Sequence, residues 1–185
     1  MINSFSKNDL VNIMEIIESS MQCSSEAGVK TLLRKTSGLV GAEFSICGKG
    51  TLLLSDIAII NGSYPAAWVD DYKKEKLYLH DPIVSYHLRF TRTFGWEDAL
   101  REDMGKMAKK IVSRAQDYGI RHGLSTGIFD PVSQRLSLFS FVDRKRIGGA
   151  REKTMLDYLS PHLHSTLLRI CGNTNEDPHD LLAIQ

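Results

Sequence analysis

The sequence predicts an α/β (α+β) fold: an antiparallel sheet with helices on both faces, an α/β/α sandwich. Three observations lead there. Helical and strand-like segments follow one another in the order ααββαααββα. Each pair of strand-like runs is joined by a short turn, as antiparallel neighbours require. The 185 residues, 42% of them hydrophobic and 24% charged, suffice for one soluble domain with a sizeable core.

The elements follow from local chemistry. Residues 7–22 place Leu10, Met14, Ile17 and Met21 on one helical stripe with Ile13 beside it, which predicts a first helix with that stripe inward. Ser24 and Ser25 are N-cap residues for a second helix that Gly38 or Gly41 closes. Residues 43–47 and 52–60 read as strands about a Gly48-Lys49-Gly50 turn, and Asn61-Gly62 ends the second. Pro65 and the Asp81-Pro82 pair each open a helix, because the first helical position does not use its N–H. Residues 104–118 form a helix with Met107, Ile111 and Ala115 on one face, stopped by Gly119. Residues 124–129 and 136–142 form a hairpin around Asp130-Pro131-Val132-Ser133. Residues 150–170 are a long last helix with Met155, Leu159, Leu163, Leu167 and Ile170 inward. Residues 1–172 are thus the domain, and 173–185, polar and then Leu181-Leu182-Ala183-Ile184, read as the start of a linker.

Bulk properties narrow the function. A formal net charge of +1 gives no global attraction to nucleic acid or anionic membrane. No run approaches the ~18 apolar residues of a membrane span, and the N-terminus has no signal-peptide core. Three widely spaced cysteines without a C-x-x-C pair read as reduced thiols in a cytoplasmic protein.

Chemistry concentrates between Trp68 and Trp96. Aromatic walls with one or two fixed polar groups suit a small, mostly apolar ligand. Trp68 and Tyr72 are i and i+4, so their rings share a helix face. Asp81 before Pro82 is a regular N-cap, yet its carboxylate has lone pairs to spare for a ligand N–H. In the strand 136–142, alternation puts Leu136, Leu138 and Ser140 on one face and Ser137, Phe139 and Phe141 on the other.

The series Trp68-x3-Tyr72-x8-Asp81-Pro82-x13-Trp96, followed by Gly123, resembles the autoinducer-binding domain of LuxR-type quorum-sensing regulators over roughly residues 5–172. That resemblance implies a five-stranded sheet and a buried N-acyl-homoserine lactone as the ligand, with no cofactor. It implies roles as well. The Trp68 indole would donate to the lactone carbonyl, Tyr72 would close over the acyl chain, and Asp81 would accept the amide N–H. Tyr64 would donate to the acyl carbonyl and Trp96 would wall the lactone. Ser140 would lie near the amide, one residue being inserted in the preceding turn, and Ser125 beside the head group. Ile83, Val84, Leu100 and Tyr78 would line the acyl cavity, and Gly123 would meet a backbone requirement. The family's helix-turn-helix does not occur in these residues, so the resemblance implies DNA as a partner only through such a further domain; the sequence reads as an excised sensor domain or, alternatively, as a protein without that reader. A homodimer, formed through the last helix when ligand orders the domain, is the other implied partner. The alternative is a sensor of the same fold for a different small molecule, or an anti-activator that binds a partner regulator.

Two other motifs point to different chemistry. Gly123-Leu124-Ser125-Thr126-Gly127 matches the G-x-S-x-G hydrolase elbow, but that motif needs a strand followed by a helix, and strand-like sequence follows here. His162 and His164 are i and i+2, which on a helix diverge. The expectation is therefore neither enzyme nor metal site.

Overall fold

The computed structural model describes residues 5–172 except 52, 54, 91 and 102; the expected linker lies outside the described residues. Helices α1 (Lys7–Gln22) and α2 (Glu26–Val40) lead into strands β1 (Phe44–Thr51) and β2 (Ala58–Asn61). Then come α3 (Ala66–Lys74), a 3-10 turn at Leu77–Leu79, α4 (Pro82–Arg89), β3 (Phe94–Gly95), α5 (Trp96–Leu100) and α6 (Lys106–Asp117). Strands β4 (His122–Thr126), β5 (Phe129–Asp130) and β6 (Arg135–Asp143) precede α7 (Ala150–Gly172). The sheet is antiparallel in the order β2-β1-β6-β4-β3, and the two-residue β5 pairs with β6. The main path has the five strands expected, and β5 makes a sixth.

Period-two alternation in β6 divides the interior. Phe139 and Phe141 face α1, α2 and α7, packing with Ile13, Ile16, Leu33, Met155 and Leu159 in a dense core. Val142 and Leu138 face the other way, toward α3, α4, α5 and α6. That second layer holds the site.

Three expectations are corrected. On α1 the buried face is Asp9, Ile13, Ile16 and Ser20, whereas Leu10, Met14 and Met21 stand 42%, 63% and 72% exposed. Two polar side chains can occupy the inner face because each is satisfied, Asp9 by a distant cation and the Ser20 hydroxyl by the Ile17 carbonyl (2.6 Å). Asp9 pairs with Arg151, and the Ser20 carbonyl accepts from Thr166 Oγ1 (3.0 Å) and Arg169 (2.9 Å). Secondly, Gly48-Lys49-Gly50 is not a turn but part of the second half of β1, which runs on to Thr51. A Cβ on Gly50 would lie 2.5 Å from Ile57 Cδ1, so that glycine leaves room for a neighbour. Thirdly, Met107 is exposed, and α6 buries only Ile111 and Ala115.

Across the sheet, one residue of β6 ties both layers. His87 Nε2 bonds the Ser137 carbonyl (2.9 Å), and His164 Nδ1 bonds the Ser137 hydroxyl (2.7 Å). His87 is 1% exposed, and burial holds its pKa down at about 4, partly offset by the Ser137 bond. A base depressed below its ordinary 6.5 lets the unfolded chain protonate first as pH falls. Stability should therefore drop between pH 6.5 and 4, by up to about 3 kcal/mol from this group. Urea titrations at several pH values check it: His87→Gln should lose part of the wild-type acid slope, and an identical slope would place the lability elsewhere.

Candidate ligand-binding cavity

Between the sheet and helices α3–α6 lies a cavity of about 130 Å³. One water needs roughly 10–15 Å³ on a comparable measure, so the space is molecular in size. Its walls are mainly apolar. Ile46, Leu136 and Leu138 come from the sheet, and Ile111 and Ala115 from α6. The sequence reading missed these residues, because an inward strand aliphatic looks the same whether it meets another side chain or a void.

The polar groups come from the connections. Asn61 clamps the β2–α3 junction: its Oδ1 accepts from Tyr64 N (2.8 Å) and its Nδ2 donates to Tyr64 O (2.9 Å). The Tyr64 ring packs edge-on to Phe44, and its phenol oxygen is buried with no hydrogen-bond partner. Trp68 is 4% exposed, with its ring between Tyr72 (5.9 Å) and Tyr118 (5.7 Å). Arg114 covers it at 5.9 Å while pairing with Asp71 and Glu75.

Asp81 caps α4 as its position allowed, and its second oxygen is taken by a neighbouring phenol. Oδ1 accepts from Ile83 N at 2.7 Å, the N-cap bond, and Oδ2 accepts from Tyr72 Oη at 2.7 Å. Burial raises the carboxyl pKa, and the Tyr72 and backbone bonds oppose that rise. Burial and the nearby Asp81 push the Tyr64 and Tyr72 phenols well above their usual range, so both keep their protons to donate.

A relay ends on Ser140. Trp96 Nε1 donates to Ser125 Oγ (2.9 Å), which lies 2.8 Å from Ser140 Oγ. Ser125 is fully buried, so Ser140 is the available acceptor for its own proton. Having accepted that bond, Ser140 is left with its O–H to offer, and it lies on the cavity wall.

Of the candidates read from sequence, Tyr64, Trp68, Tyr72, Tyr78, Asp81, Ile83, Val84, Trp96, Leu100 and Ser140 all line this cavity. Ser125 does not. It sits behind Ser140 as a support, opposite it in the β4–β6 register, and the place expected beside a head group is corrected to that. It is also mid-strand, bonded to an indole and a hydroxyl, not at a strand-to-helix elbow. Gly123 is corrected too. Its requirement is space, since a Cβ there would fall 2.8 Å from Trp96 Cε2 and 2.9 Å from Val142 Cγ2. Among the described residues no cluster of three His, Cys, Asp or Glu could hold a metal, and no helix is long and apolar enough to cross a membrane.

Comparison with known proteins gives a consistent answer. The family described as "Autoinducer binding domain" matches residues 25–167. The transcriptional activator protein VanR of Vibrio anguillarum is 26% identical over 122 residues, which are 64% of this chain and 50% of VanR. The chain thus spans about half of that relative. The crystal structure of the N-acylhomoserine lactone dependent LuxR family factor CepR2 from Burkholderia cenocepacia superposes with a TM-score of 0.69 at 18% identity, covering 91% of this chain and 99% of that one. SdiA in complex with octanoyl-rac-glycerol gives 0.69 at 15% identity, covering 90% and 68%. At these identities the two structures establish the fold alone.

Proposed function

Because the chain belongs to the autoinducer-binding domain family of LuxR-type regulators, we propose that it is a sensor whose cavity buries one N-acyl-homoserine lactone as part of its core. The observation that carries this is the unspent polar inventory. Tyr64 Oη has no partner, Ser140 has a proton to give, and Asp81 keeps acceptor capacity beyond its bonds to Tyr72 and the Ile83 and Val84 amides. A lactone amide offers the converse, two carbonyl acceptors and one N–H donor, on an alkyl chain that the aliphatic walls accommodate. An unmet buried polar group costs about 1–3 kcal/mol, so ligand both fills space and relieves that cost. Occupancy at ~100 times the dissociation constant would stabilise the fold by about 2.7 kcal/mol. The filled domain is then the ordered form, which pairs with a second copy; transcriptional control is proposed for the whole protein in which it resides.

One observation favours a second reading. A structure of the same fold, SdiA, holds octanoyl-rac-glycerol, a neutral acyl ester whose hydroxyls could meet Asp81. Mass spectrometry separates the two. Purified domain is incubated with mixed acyl lactones and acylglycerols, desalted and extracted. The lactone reading expects lactones retained; acylglycerols alone would establish the alternative, and retention of neither would sink both.

A further inference from the structure

We infer that the outer face of α1 is a self-complementary seam through which two copies of this chain pair, helix antiparallel to helix. Leu10, Met14, Ile17 and Met21 are spaced 4, 3 and 4, the d-a-d-a pattern of a coiled-coil seam. Yet this line is not the one that α1 buries within its own domain. Leu10, Met14 and Met21 are exposed, Ile17 is only partly buried, and Val11 adds 45% exposure alongside. A solvated helix has no reason to carry a second apolar line next to its buried one.

The spacing itself indicates the occupant. A two-fold axis across the helix between residues 15 and 16 sets Leu10 against the other copy's Met21 and Met14 against its Ile17. Every apolar position thereby meets an apolar position, with no charge inside the four layers. A two-fold requires one patch to complement itself in this way. The neighbouring helix extends the face: α7 runs beside α1, joined by Asp9–Arg151 at one end and Ser20–Arg169 at the other. Its Tyr158 is 44% exposed next to Phe5. With that ring the patch is on the order of 500 Å², at the upper end for a monomer's largest apolar patch. One partner of a standard interface contributes about 800 Å². The seam therefore supports a moderate, concentration-dependent dimer once its polar rim is added. It also shifts the expected contact from the last helix alone to α1 with α7 at its edge.

The seam lies on the opposite side of the sheet from the cavity, so pairing can be tested apart from ligand chemistry. Sedimentation equilibrium is run on the whole 185-residue chain up to about 100 μM, with and without an acyl-homoserine lactone. Wild type is expected to dimerise, and Met14→Glu/Met21→Glu to weaken the dimer at least 100-fold, with circular dichroism unchanged and a lactone-induced melting shift retained. Leu10→Cys/Met21→Cys should form an intermolecular disulfide under copper-phenanthroline with molecular oxygen as oxidant, and Leu10→Cys alone should not. A wild-type monomer throughout, or a dimer indifferent to both glutamates, overturns the seam. Loss of the lactone shift in wild type with the dimer intact counts against the proposed ligand and leaves the seam standing.

Discussion

Asp81→Asn should leave the empty domain as stable as wild type or more so, while weakening lactone binding by about 10- to 100-fold. Both signs follow from one geometry. Asparagine's oxygen keeps the cap bond from the Ile83 amide, and its NH2 can donate to the Tyr72 phenol oxygen where the carboxylate accepted from it, so the cap and the wall survive. It removes an ionised group whose burial raises its pKa. For an acid raised in the folded state, the native form takes the proton first, so ionisation at neutral pH costs stability. The ligand loses a charge-assisted bond worth roughly 1.5–3 kcal/mol. Thermal melts of both proteins with and without lactone read the two effects together. A variant that melts lower when empty yet binds normally would make Asp81 a structural cap and nothing more. Trp68→Phe, which keeps most of the ring packing, should weaken binding more mildly.

Gly127→Ala should cost about 3 kcal/mol or more, and at 37 °C should leave much of the protein insoluble. The added Cβ would lie 2.0 Å from the Ser137 carbonyl oxygen and 3.0 Å from His87 Nε2. That carbonyl is backbone and cannot swing aside. Relief must displace β6 or the 127–128 segment, breaking the His87 bond and the Ser137 N to Ile128 O bond (2.9 Å). Gly38→Ala is the control, as nothing lies within 4 Å of its Cβ and alanine favours a helix by up to about 1 kcal/mol. Chemical denaturation should move the two variants in opposite directions; equal small shifts would show that the Gly127 contact relaxes freely.

These cases show how much the sequence discloses. Trp68, Tyr72, Asp81 and Trp96 were legible because their types are rare and their intervals fixed, and the sheet and its helical cover followed from hydrophobic period. The apolar half of the cavity was not, since Leu136 and Leu138 carry no mark that distinguishes a wall from a core. The inner face of α1 was misread for a different reason. Two apolar lines run along that helix, and the inner one carries Asp9, whose partner Arg151 comes from the far end of the chain, while Thr166 and Arg169 tie the Ser20 carbonyl to the last helix. Gly123 was noticed, but its purpose needed the Trp96 ring in place.

The most direct measurement is a calorimetric titration of the domain with an acyl-homoserine lactone and, separately, with its ring-opened acid. The lactone should saturate one site per chain. The acid should bind roughly 100-fold more weakly or not at all, because its carboxylate would enter an apolar space already holding Asp81. Equal affinity for both, or heat from neither, would contradict a chamber built around an uncharged polar head.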